Sequence, residues 1–410
     1  MKKRLTLGLF GFGCVGQGLY RVLNETQGLE TEIKKICIKH PDKSRTLPSE
    51  RFTTVKDDIL SDPEIDVVVE LIDDAEIAFE IVRESVKRGK AVVTANKRML
   101  AERLDEILEL QETYGRPILY EGAVCGSIPI IRNLEEYYDN DQINRVEGIV
   151  NGSTNYILTK VSEEGWSYAE ALRNAQELGF AESDPSLDVK GFDPSFKLSI
   201  LLTHAFGLRV KPSNIVRIGI DQISASDVRY AQSNHLRIKL VASAHRSGNS
   251  VIALVAPRFV KEGHPLYSIR NEFNAVCVEG LFAEEQLFVG KGAGGNPTGS
   301  AVLSDISALR YDYRYAYRKL NQSGPLSFTN EALVDASVSF PDSVSITPQD
   351  FVEFKGGVRT KDHHRMHGLV RIETLFEWSQ KQDISIVLSA GAVPQEIVPK
   401  IIEELVNKPT

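Results

Sequence analysis

The sequence predicts an α/β protein that begins with a doubly wound parallel sheet. Short apolar runs alternate with amphipathic helical stretches over about residues 1–130, and a glycine-rich loop separates the first run from the first helix. Beyond about residue 140 the pattern changes to longer strands with fewer helices between them. Strands that alternate with helices are typical of parallel sheets. We therefore expect this sheet first, then an α+β domain with a mixed sheet, then a small C-terminal α+β module.

Hydrophobic patterning predicts the elements of the first part. Alternating or β-branched runs indicate strands, and apolar residues at helical spacing indicate helices. The run at 66–72 is rich in valine, which suits a strand buried on both faces. Strands are predicted at 4–10, 33–38, 66–72, 91–94 and 118–120. Helices are predicted from the end of the 11–16 loop to about residue 24, at 76–88 and at 98–114.

The second part is predicted in the same way. Gly179 stands where a helix over 168–178 would need its C-terminal cap. Asp193 and Pro194 suit an N-cap and a first helical position, which predicts a helix running to about residue 206. Strands are predicted at 143–150, 238–245, 251–256, 275–280 and 286–289, and a further helix at 300–320.

The C-terminal residues predict a small module of their own. Residues 321–325 contain Gly and Pro and suit a linker. Strands are expected at 333–340, 351–354 and 384–388, with a helix at 369–380. His363 and His367 would share one face of a helix, but Gly368 and the lack of further ligands favour a solvated turn over a metal site. The expected domains cover residues 1–135 with a return segment at 290–320, residues 136–320, and residues 325–410.

Composition excludes several classes of protein. The chain is 42% apolar and 25% charged, which is typical of globular proteins rather than disordered or fibrous ones. Its net charge of −8 argues against a nucleic-acid partner. The 4 cysteines are scattered and form no C-x-x-C pair, which fits a reducing compartment. The basic start resembles a secretory signal, but the glycines that follow would weaken a signal helix. No apolar stretch is long enough to span a membrane, so we expect a cytoplasmic protein without a membrane partner.

The glycine-rich loop predicts dinucleotide binding. Gly11, Gly13 and Gly16 form G-x-G-x-x-G, with Val15 inside it, between a strand and a helix. Such glycines allow a tight turn, a close approach of the backbone to pyrophosphate, and close packing of helix on strand. The end of the second strand carries Lys39 rather than the acidic residue that would hold the ribose of NAD. This favours NADP, and NAD remains the alternative.

Five longer motifs resemble those of homoserine dehydrogenases. The most specific runs from 175 to 197, with Gly, Glu, Asp-Pro, Asp, Gly, Asp and Lys in order. The others are Thr-Ala-Asn-Lys at 94–97, Glu-Gly-Ala-Val-Cys-Gly-Ser-Ile-Pro-Ile-Ile at 121–131, Asn-Gly-Ser-Thr-Asn-Tyr at 151–156, and Gly-Ala-Gly-Gly-Asn-Pro-Thr-Gly-Ser-Ala-Val at 292–302. The resemblance covers about residues 1–320. It implies reduction of aspartate semialdehyde to homoserine with NAD(P)H, in threonine and methionine biosynthesis.

The resemblance also implies roles for individual residues. Lys197 would be the proton donor, Asp193 would orient it, and Lys97 would lie near nicotinamide and substrate. Asp193 and Lys197 stand four apart on the predicted helix, so they share a face. The remaining implied positions are Thr94, Thr298 and Ala301 for the cofactor, Glu182, Asp188 and Ser153 for the substrate, and the backbone carbonyls of Glu121, Val124, Gly126 and Ile128 for a sodium or potassium ion.

Some features depart from the family pattern. Asp73 and Asp74 replace the usual Gly-Gly, where they would either crowd the cofactor or cap the next helix. The C-terminal module lacks the Asp-x-Pro-Gly turn expected of a threonine-sensing ACT domain, so we expect a divergent regulatory or oligomerisation module in a homodimer or larger homo-oligomer. One alternative is a related semialdehyde oxidoreductase, for which Cys125 would be the only cysteine in a suggestive loop. The other is a non-catalytic NAD(P)-binding sensor.

Overall fold

The structure, a computed structural model, describes residues 4–45, 47–322, 324, 326–360 and 363–396. Residues 1–3 of the basic start, two residues of the predicted linker (Ser323 and Pro325) and Asp362 beside the histidines lie outside the described residues. The chain divides into two compact units. The first lies within Met1–Asp139 and Gly290–Arg318, and the second within Asn140–Val289 and Lys319–Thr410. No helix among the described residues is long and apolar enough to cross a membrane.

The helices and strands follow in chain order. The strands are β1 (Leu5–Phe10), β2 (Thr31–Cys37), β3 (Phe52–Thr53), β4 (Val67–Glu70), β5 (Ala91–Thr94), β6 (Ile118–Leu119), β7 (Ile143–Ile149), β8 (Val216–Arg217), β9 (Leu236–Ser247), β10 (Ser250–Lys261), β11 (Phe273–Gly280), β12 (Glu285–Lys291), β13 (Ser327–Thr329), β14 (Ala332–Phe340), β15 (Glu353–Arg359), β16 (His364–Arg371), β17 (Ser385–Leu388) and β18 (Gln395–Glu396). The helices are α1 (Cys14–Glu25), α2 (Asp57–Leu60), α3 (Ala75–Lys87), α4 (Lys97–Tyr114), α5 (Ile130–Arg132), α6 (Gly152–Glu163), α7 (Tyr168–Glu177), α8 (Ser186–Val189), α9 (Phe192–Phe206), α10 (Ala225–Ser233), α11 (Gly295–Leu309), α12 (Arg318–Gln322) and α13 (Ile372–Ser379). Short 3₁₀ turns lie at Ser49–Arg51, Glu121–Ala123, Pro212–Asn214, Pro265–Ser268 and Pro348–Asp350, and a π-helical turn at Asn133–Tyr137.

The first unit contains the predicted parallel sheet. Its strands lie in the order β3-β2-β1-β4-β5-β6, and all the neighbouring pairs are parallel. All four residues of β4 are buried, as the valine-rich run predicted. The prediction of a doubly wound sheet is confirmed, and it places the glycine-rich loop at the carboxyl end of the central strand β1, where such sheets bind ligands.

Glycines bring the return segment against the first helix. A Cβ built on Gly18 of α1 would lie only 2.0 Å from the backbone oxygen of Gly295 in α11, and one built on Gly299 would lie 2.5 Å from the backbone nitrogen of Leu19. The two helix backbones are therefore in direct contact, which no larger side chain would permit. This contact holds Thr298 and Ala301, both buried, within the first unit.

The second unit is built on a mixed sheet of twelve described strands. Its main order is β12-β11-β7-β9-β10-β17-β14-β16-β15, while β8 and β13 also pair with β10, and β18 pairs with β14. The long strands β9 and β10 are antiparallel, whereas β17 pairs with β10 in parallel. The mixed sheet is thus confirmed. The C-terminal strands extend this sheet, and a buried cluster that includes Leu254, Val334 and Trp378 joins them to it.

Three local predictions are wrong. Asp193 is not an N-cap, because α9 already begins at Phe192 and Gly191, with φ +78°, stands at the cap position. The helix predicted at 300–320 spans Gly295–Leu309 instead, because its first turn packs on α1. The turn predicted at Gly368 is a strand: β16 includes His364, His367 and Gly368, and the imidazole of His364 stacks on Phe340, whereas His363 precedes the strand.

We expect Gly18→Ala to destabilise the first unit. The added methyl group would overlap the backbone of Gly295, and overpacking of this kind costs about 1–3 kcal/mol. Urea unfolding measures the cost. Gly13→Ala is the matched control, because a Cβ at Gly13 meets no atom within 4 Å. Equal losses in the two variants would contradict the proposed helix contact.

Candidate active site

The glycine-rich loop exposes the start of α1. Gly11 has φ +92°, and a Cβ there would lie 2.6 Å from the backbone oxygen of Leu71, so only glycine fits. Gly13 occupies the N-cap position, and the space around its Cα is open. The first amide groups of a helix carry a partial positive charge and attract phosphate groups. This geometry suits a pyrophosphate, and its binding beside Val15 and Gly16 stays a prediction.

A basic cavity follows the end of β2. It has a volume of about 470 Å³, and its lining includes Lys43, Arg45, Ser49 and Thr53. The guanidinium of Arg45 donates hydrogen bonds of 2.6 Å to the backbone oxygens of His40 and Lys43, and it lies 5.2 Å from the ring centre of Phe52. These contacts fix a cation beyond the end of β2, where dinucleotide-binding folds hold the ribose. Lys39 is exposed just beyond the strand.

A buried carboxyl group joins the ends of β4 and β5. Glu70 accepts hydrogen bonds from the hydroxyl of Thr94 at 2.5 Å and from the backbone nitrogen of Ile72 at 2.7 Å. Burial raises the pKa of Glu70 to about 7. Asn96 caps α4 by accepting from the backbone nitrogen of Met99, and it donates to the backbone oxygen of Ile72. Together these contacts fix the first residue of α4, Lys97, which is partly exposed.

Asp74 caps the next helix. Its carboxylate accepts from the backbone nitrogens of Glu76 and Ile77, both at 3.0 Å. Of the two aspartates that replace the family's Gly-Gly, Asp74 therefore serves as a helix N-cap. The side chain of Asp73 is exposed.

The segment predicted to bind a monovalent cation contains a sharp turn. Cys125 and Gly126 both have positive φ, of 57° and 52°. The carboxyl group of Glu121 accepts from the backbone nitrogens of Ile131 and Arg132 at 2.9 Å each, and burial raises its pKa to about 7. The backbone oxygens of Glu121 and Ile128 accept hydrogen bonds within the turn, from the backbone nitrogens of Val124 and Ile130. Cation binding at these carbonyls, including those of Val124 and Gly126, stays a prediction.

In the second unit, a buried lysine and aspartate form an ion pair. The ammonium group of Lys197 lies 2.8 Å from Asp193 Oδ2 and 2.6 Å from the backbone oxygen of Val150. Lys197 is only 6% exposed and Asp193 only 4%. A buried ammonium is tolerated only where partners of this kind replace water. The pair therefore has a fixed geometry, unlike a solvated pair on a helix surface.

Asn151 extends this pair into a network. Its amide nitrogen donates to Asp193 Oδ2 at 2.8 Å and to Asp188 Oδ1 at 2.7 Å. Its amide oxygen accepts from the backbone nitrogen of Thr154 and so caps α6. One amide thus joins Asp188, Asp193 and Lys197. The sequence prediction did not include Asn151 among the site residues, although its place at the start of the 151–156 motif was a signal that could have identified it.

Two further predicted substrate residues are Ser153, in the first turn of α6, and Glu182, in the segment after α7. The hydroxyl of Ser153 donates to the backbone oxygen of Phe180. Glu182 follows two residues later with an exposed side chain, and the side chain of Gln176 donates to its backbone oxygen at 2.9 Å. The backbone here is fixed while the carboxylate of Glu182 is open to solvent. That combination suits the binding of a soluble cation.

Comparisons with known proteins identify the family. The model of the homoserine dehydrogenase domain matches residues 129–307, and that of the homoserine dehydrogenase NAD-binding domain matches residues 11–121. The homoserine dehydrogenase of Bacillus subtilis is 38% identical over 332 residues, which cover 79% of this chain and 77% of that protein. The chain belongs to the homoserine dehydrogenase family. It is an NAD(P)-dependent oxidoreductase that acts on a CH–OH group.

Related structures agree with this homoserine dehydrogenase assignment. The crystal structure of a homoserine dehydrogenase from Thiobacillus denitrificans has a TM-score of 0.84 at 28% identity, and the match covers 94% of this chain and 98% of that one. A hyperthermophilic archaeal homoserine dehydrogenase, solved in complex with NADPH, has a TM-score of 0.65 at 26% identity and covers 76% of this chain and 99% of that one.

We predict that Glu70 makes the stability of this homoserine dehydrogenase depend on pH. Its folded pKa of about 7 lies above the ordinary 4.5, so its stabilising contribution is present below pH 4.5 and is lost as the pH rises through 7. The loss is about 3 kcal/mol, since one pKa unit corresponds to about 1.4 kcal/mol. The free energy of unfolding of Glu70→Gln, measured relative to the native chain, should therefore rise by that amount between pH 4.5 and 8. A difference between the two proteins that stays constant over this pH range would contradict the prediction.

Proposed function

We propose that this chain interconverts L-aspartate 4-semialdehyde and L-homoserine with NAD(P), with Lys197 as the proton donor. The observation that carries the proposal is the buried ion pair between Lys197 and Asp193, in which Asp193 also accepts a hydrogen bond from Asn151. The family assignment supplies the reaction class, and the ion pair supplies a proton in a fixed place.

Lys197 meets the needs of an aldehyde reduction. A bound nicotinamide supplies the hydride that is added to the carbonyl carbon. The oxygen then gains negative charge and takes a proton from the ammonium group of Lys197, which becomes an amine and is reprotonated from solvent. Asp193 and the backbone oxygen of Val150 accept two of the three ammonium protons, which leaves the third for the substrate oxygen. Asp193 is a positioning residue in this scheme.

The second unit also offers groups for the amino-acid end of the substrate. The exposed carboxylate of Glu182 binds the substrate ammonium in our proposal, and Asp188 adds negative charge beside Asn151. Ser153 keeps its lone pairs for a substrate donor, because its proton is used by Phe180. Lys97, in the first unit, is proposed to contact nicotinamide and substrate.

We propose NADP as the preferred cofactor. Arg45 and Lys43 line the cavity after β2, and Lys39 lies close to it in sequence, so this side of the loop is basic. A 2′-phosphate carries the negative charge that such a cavity favours. In this proposal the pyrophosphate of the cofactor binds at Gly11, Gly13, Val15 and Gly16. The other residues that contact the cofactor are Thr94, Thr298 and Ala301. We further propose a cytoplasmic homodimer that serves threonine and methionine biosynthesis, with sodium or potassium at the 121–128 turn.

Replacing Lys197 tests the chemistry. We expect Lys197→Ala to lower the kcat for homoserine-dependent reduction of NADP by about 10²–10⁴, the usual contribution of a general acid or base. Binding of NADPH, followed by its fluorescence, should be unchanged. Lys197→Met fills the same space and separates lost chemistry from lost packing. A chain that binds NADPH but shows no turnover even with Lys197 intact would be the non-catalytic sensor instead.

Replacing Arg45 tests the cofactor preference. Arg45→Ala should raise the KM for NADP by about tenfold or more, since a hydrogen bond to a charged group contributes about 1.5–3 kcal/mol. The KM for NAD should change little. Reduction of both cofactors is measured side by side in the native chain and in the variant. Equal changes for the two cofactors, or a native preference for NAD, would contradict the assignment.

A further inference from the structure

Asp73 is an exposed acidic residue to which the proposed function gives no role. It lies in the bend between β4 and α3, at the first of the two positions where the family usually has glycine. Its neighbour Asp74 is engaged as the N-cap of α3. The Asp73 carboxylate, in contrast, has no hydrogen-bond or ion-pair partner among the residues that the structure describes. Its negative charge is therefore available to a bound molecule.

The strand order determines which half of the cofactor comes nearest to Asp73. The sheet of the first unit grows in one direction from β1 to β3 and in the other from β4 to β6, so the order reverses between β1 and β4. A dinucleotide binds across such a reversal. The basic cavity after β2 holds the adenosine side in the proposed function, which leaves the β4 side for the nicotinamide. Asp73 follows the last residue of β4 by three positions.

The backbone before Asp73 is held against the glycine-rich loop. A Cβ built on Gly11 would lie 3.2 Å from Cγ2 of Ile72, so the segment after β4 packs on this loop. The backbone nitrogen of Ile72 donates to the carboxyl group of Glu70, and its backbone oxygen accepts from the side chain of Asn96. Asp73 therefore extends from a fixed point beside the loop that is proposed to bind the pyrophosphate.

The charge of Asp73 acts at the end of β4. Burial is the main cause of the raised pKa of Glu70, and the negative charge of Asp73 raises that pKa further. Charges on the surface that lie much more than about 10 Å apart are largely screened, so the two carboxyl groups are neighbours. A positive charge at the same edge of the sheet would be attracted by the same carboxylate.

We propose that Asp73 makes this chain prefer the oxidised form of its cofactor. The nicotinamide ring is positively charged when oxidised and neutral when reduced, whereas the phosphate groups are the same in both forms. A carboxylate beside the ring therefore stabilises the oxidised form alone, while repulsion of the phosphate groups would weaken both forms equally. This inference rests on the cofactor part of the proposed function and not on its catalytic step.

Binding of the two cofactor forms to the full chain tests the inference. The Kd of NADPH is measured by its fluorescence, and that of NADP⁺ by its competition with NADPH. The measurement is made at about pH 8.5, where Glu70 is ionised in both proteins because its pKa is about 7. We expect Asp73→Asn to weaken the binding of NADP⁺ by about three- to tenfold relative to NADPH, the effect of one charge across a partly solvated site. An unchanged ratio, or an equal change for both forms, would overturn the inference.

The NAD⁺ and NADH pair provides a second measurement of the same ratio. The adenosine side is identical within each pair, so the change should be the same whichever cofactor the chain prefers. Failure of both pairs to bind would refute the cofactor assignment together with this inference. Binding of either pair without a change of ratio in Asp73→Asn would refute the inference alone.

Two further variants separate the charge of Asp73 from other effects. Asp73→Glu retains the carboxylate and should keep the native ratio. Asp74→Asn removes the adjacent charge but retains an N-cap, since asparagine also caps helices well, and should leave the ratio nearly unchanged. Equal changes in Asp74→Asn and Asp73→Asn would overturn the assignment to Asp73. The effect of Asp73→Asn should also shrink between about 0.01 M and 1 M salt, because exposed charges are screened, and an effect that is independent of salt would contradict an electrostatic cause.

Activity is a separate measurement. If the proposed reaction occurs, NADP⁺ should inhibit aldehyde reduction in competition with NADPH, and Asp73→Asn should raise its inhibition constant by the same factor as its Kd. An inhibition constant that stays at the native value would overturn the inference. Absence of turnover would refute the proposed reaction and leave the binding result intact.

Discussion

The buried ion pair of Lys197 and Asp193 is the constraint on which the second unit's site depends. An ammonium group removed from water loses several kcal/mol of hydration, which only close partners can replace. The backbone oxygen of Val150 and the carboxylate of Asp193 are those partners, and Asn151 in turn satisfies the carboxylate. Because Val150 directly follows β7 and Asn151 caps α6, the ion pair also fixes how β7, α6 and α9 meet. The same few hydrogen bonds therefore hold β7, α6 and α9 together and position the proposed proton donor, Lys197.

Buried carboxyl groups perform a comparable task in the first unit. Glu70 holds the backbone nitrogen of Ile72, and Glu121 holds those of Ile131 and Arg132. Each stands where a loop leaves the end of a parallel strand, and burial raises the pKa of each to about 7. An acceptor on the side chain lets a loop turn away from the sheet without leaving buried amides unpaired. The loops that would surround the cofactor are held in this way.

The sequence predicted the first sheet closely because hydrophobic periodicity determines it. The strand predicted at 91–94 is β5 itself, and the helix predicted at 98–114 begins one residue early, at Lys97. Where contacts between distant residues decide the structure, the prediction failed. The start of α9 depends on the positive φ of Gly191 and on the use of the Asp193 carboxylate by Lys197, so the local N-cap pattern was misleading. The pairing of the C-terminal strands with β10 is likewise a long-range contact that no local pattern reveals.

The sequence motifs named most residues of the candidate site, but not a residue that connects them. The 175–197 motif identified Asp188, Asp193 and Lys197, but the amide that joins them lies in another segment and required the fold to be seen. The same reasoning accounts for Asp74, one of the two residues that depart from the family pattern. The Asp74 carboxylate is satisfied by two amides at the start of α3, where the helix dipole compensates negative charge. An aspartate engaged in this way projects less of its charge toward a phosphate than a free one would. The aspartate at position 74 is therefore compatible with an anionic cofactor at the carboxyl edge of the same sheet.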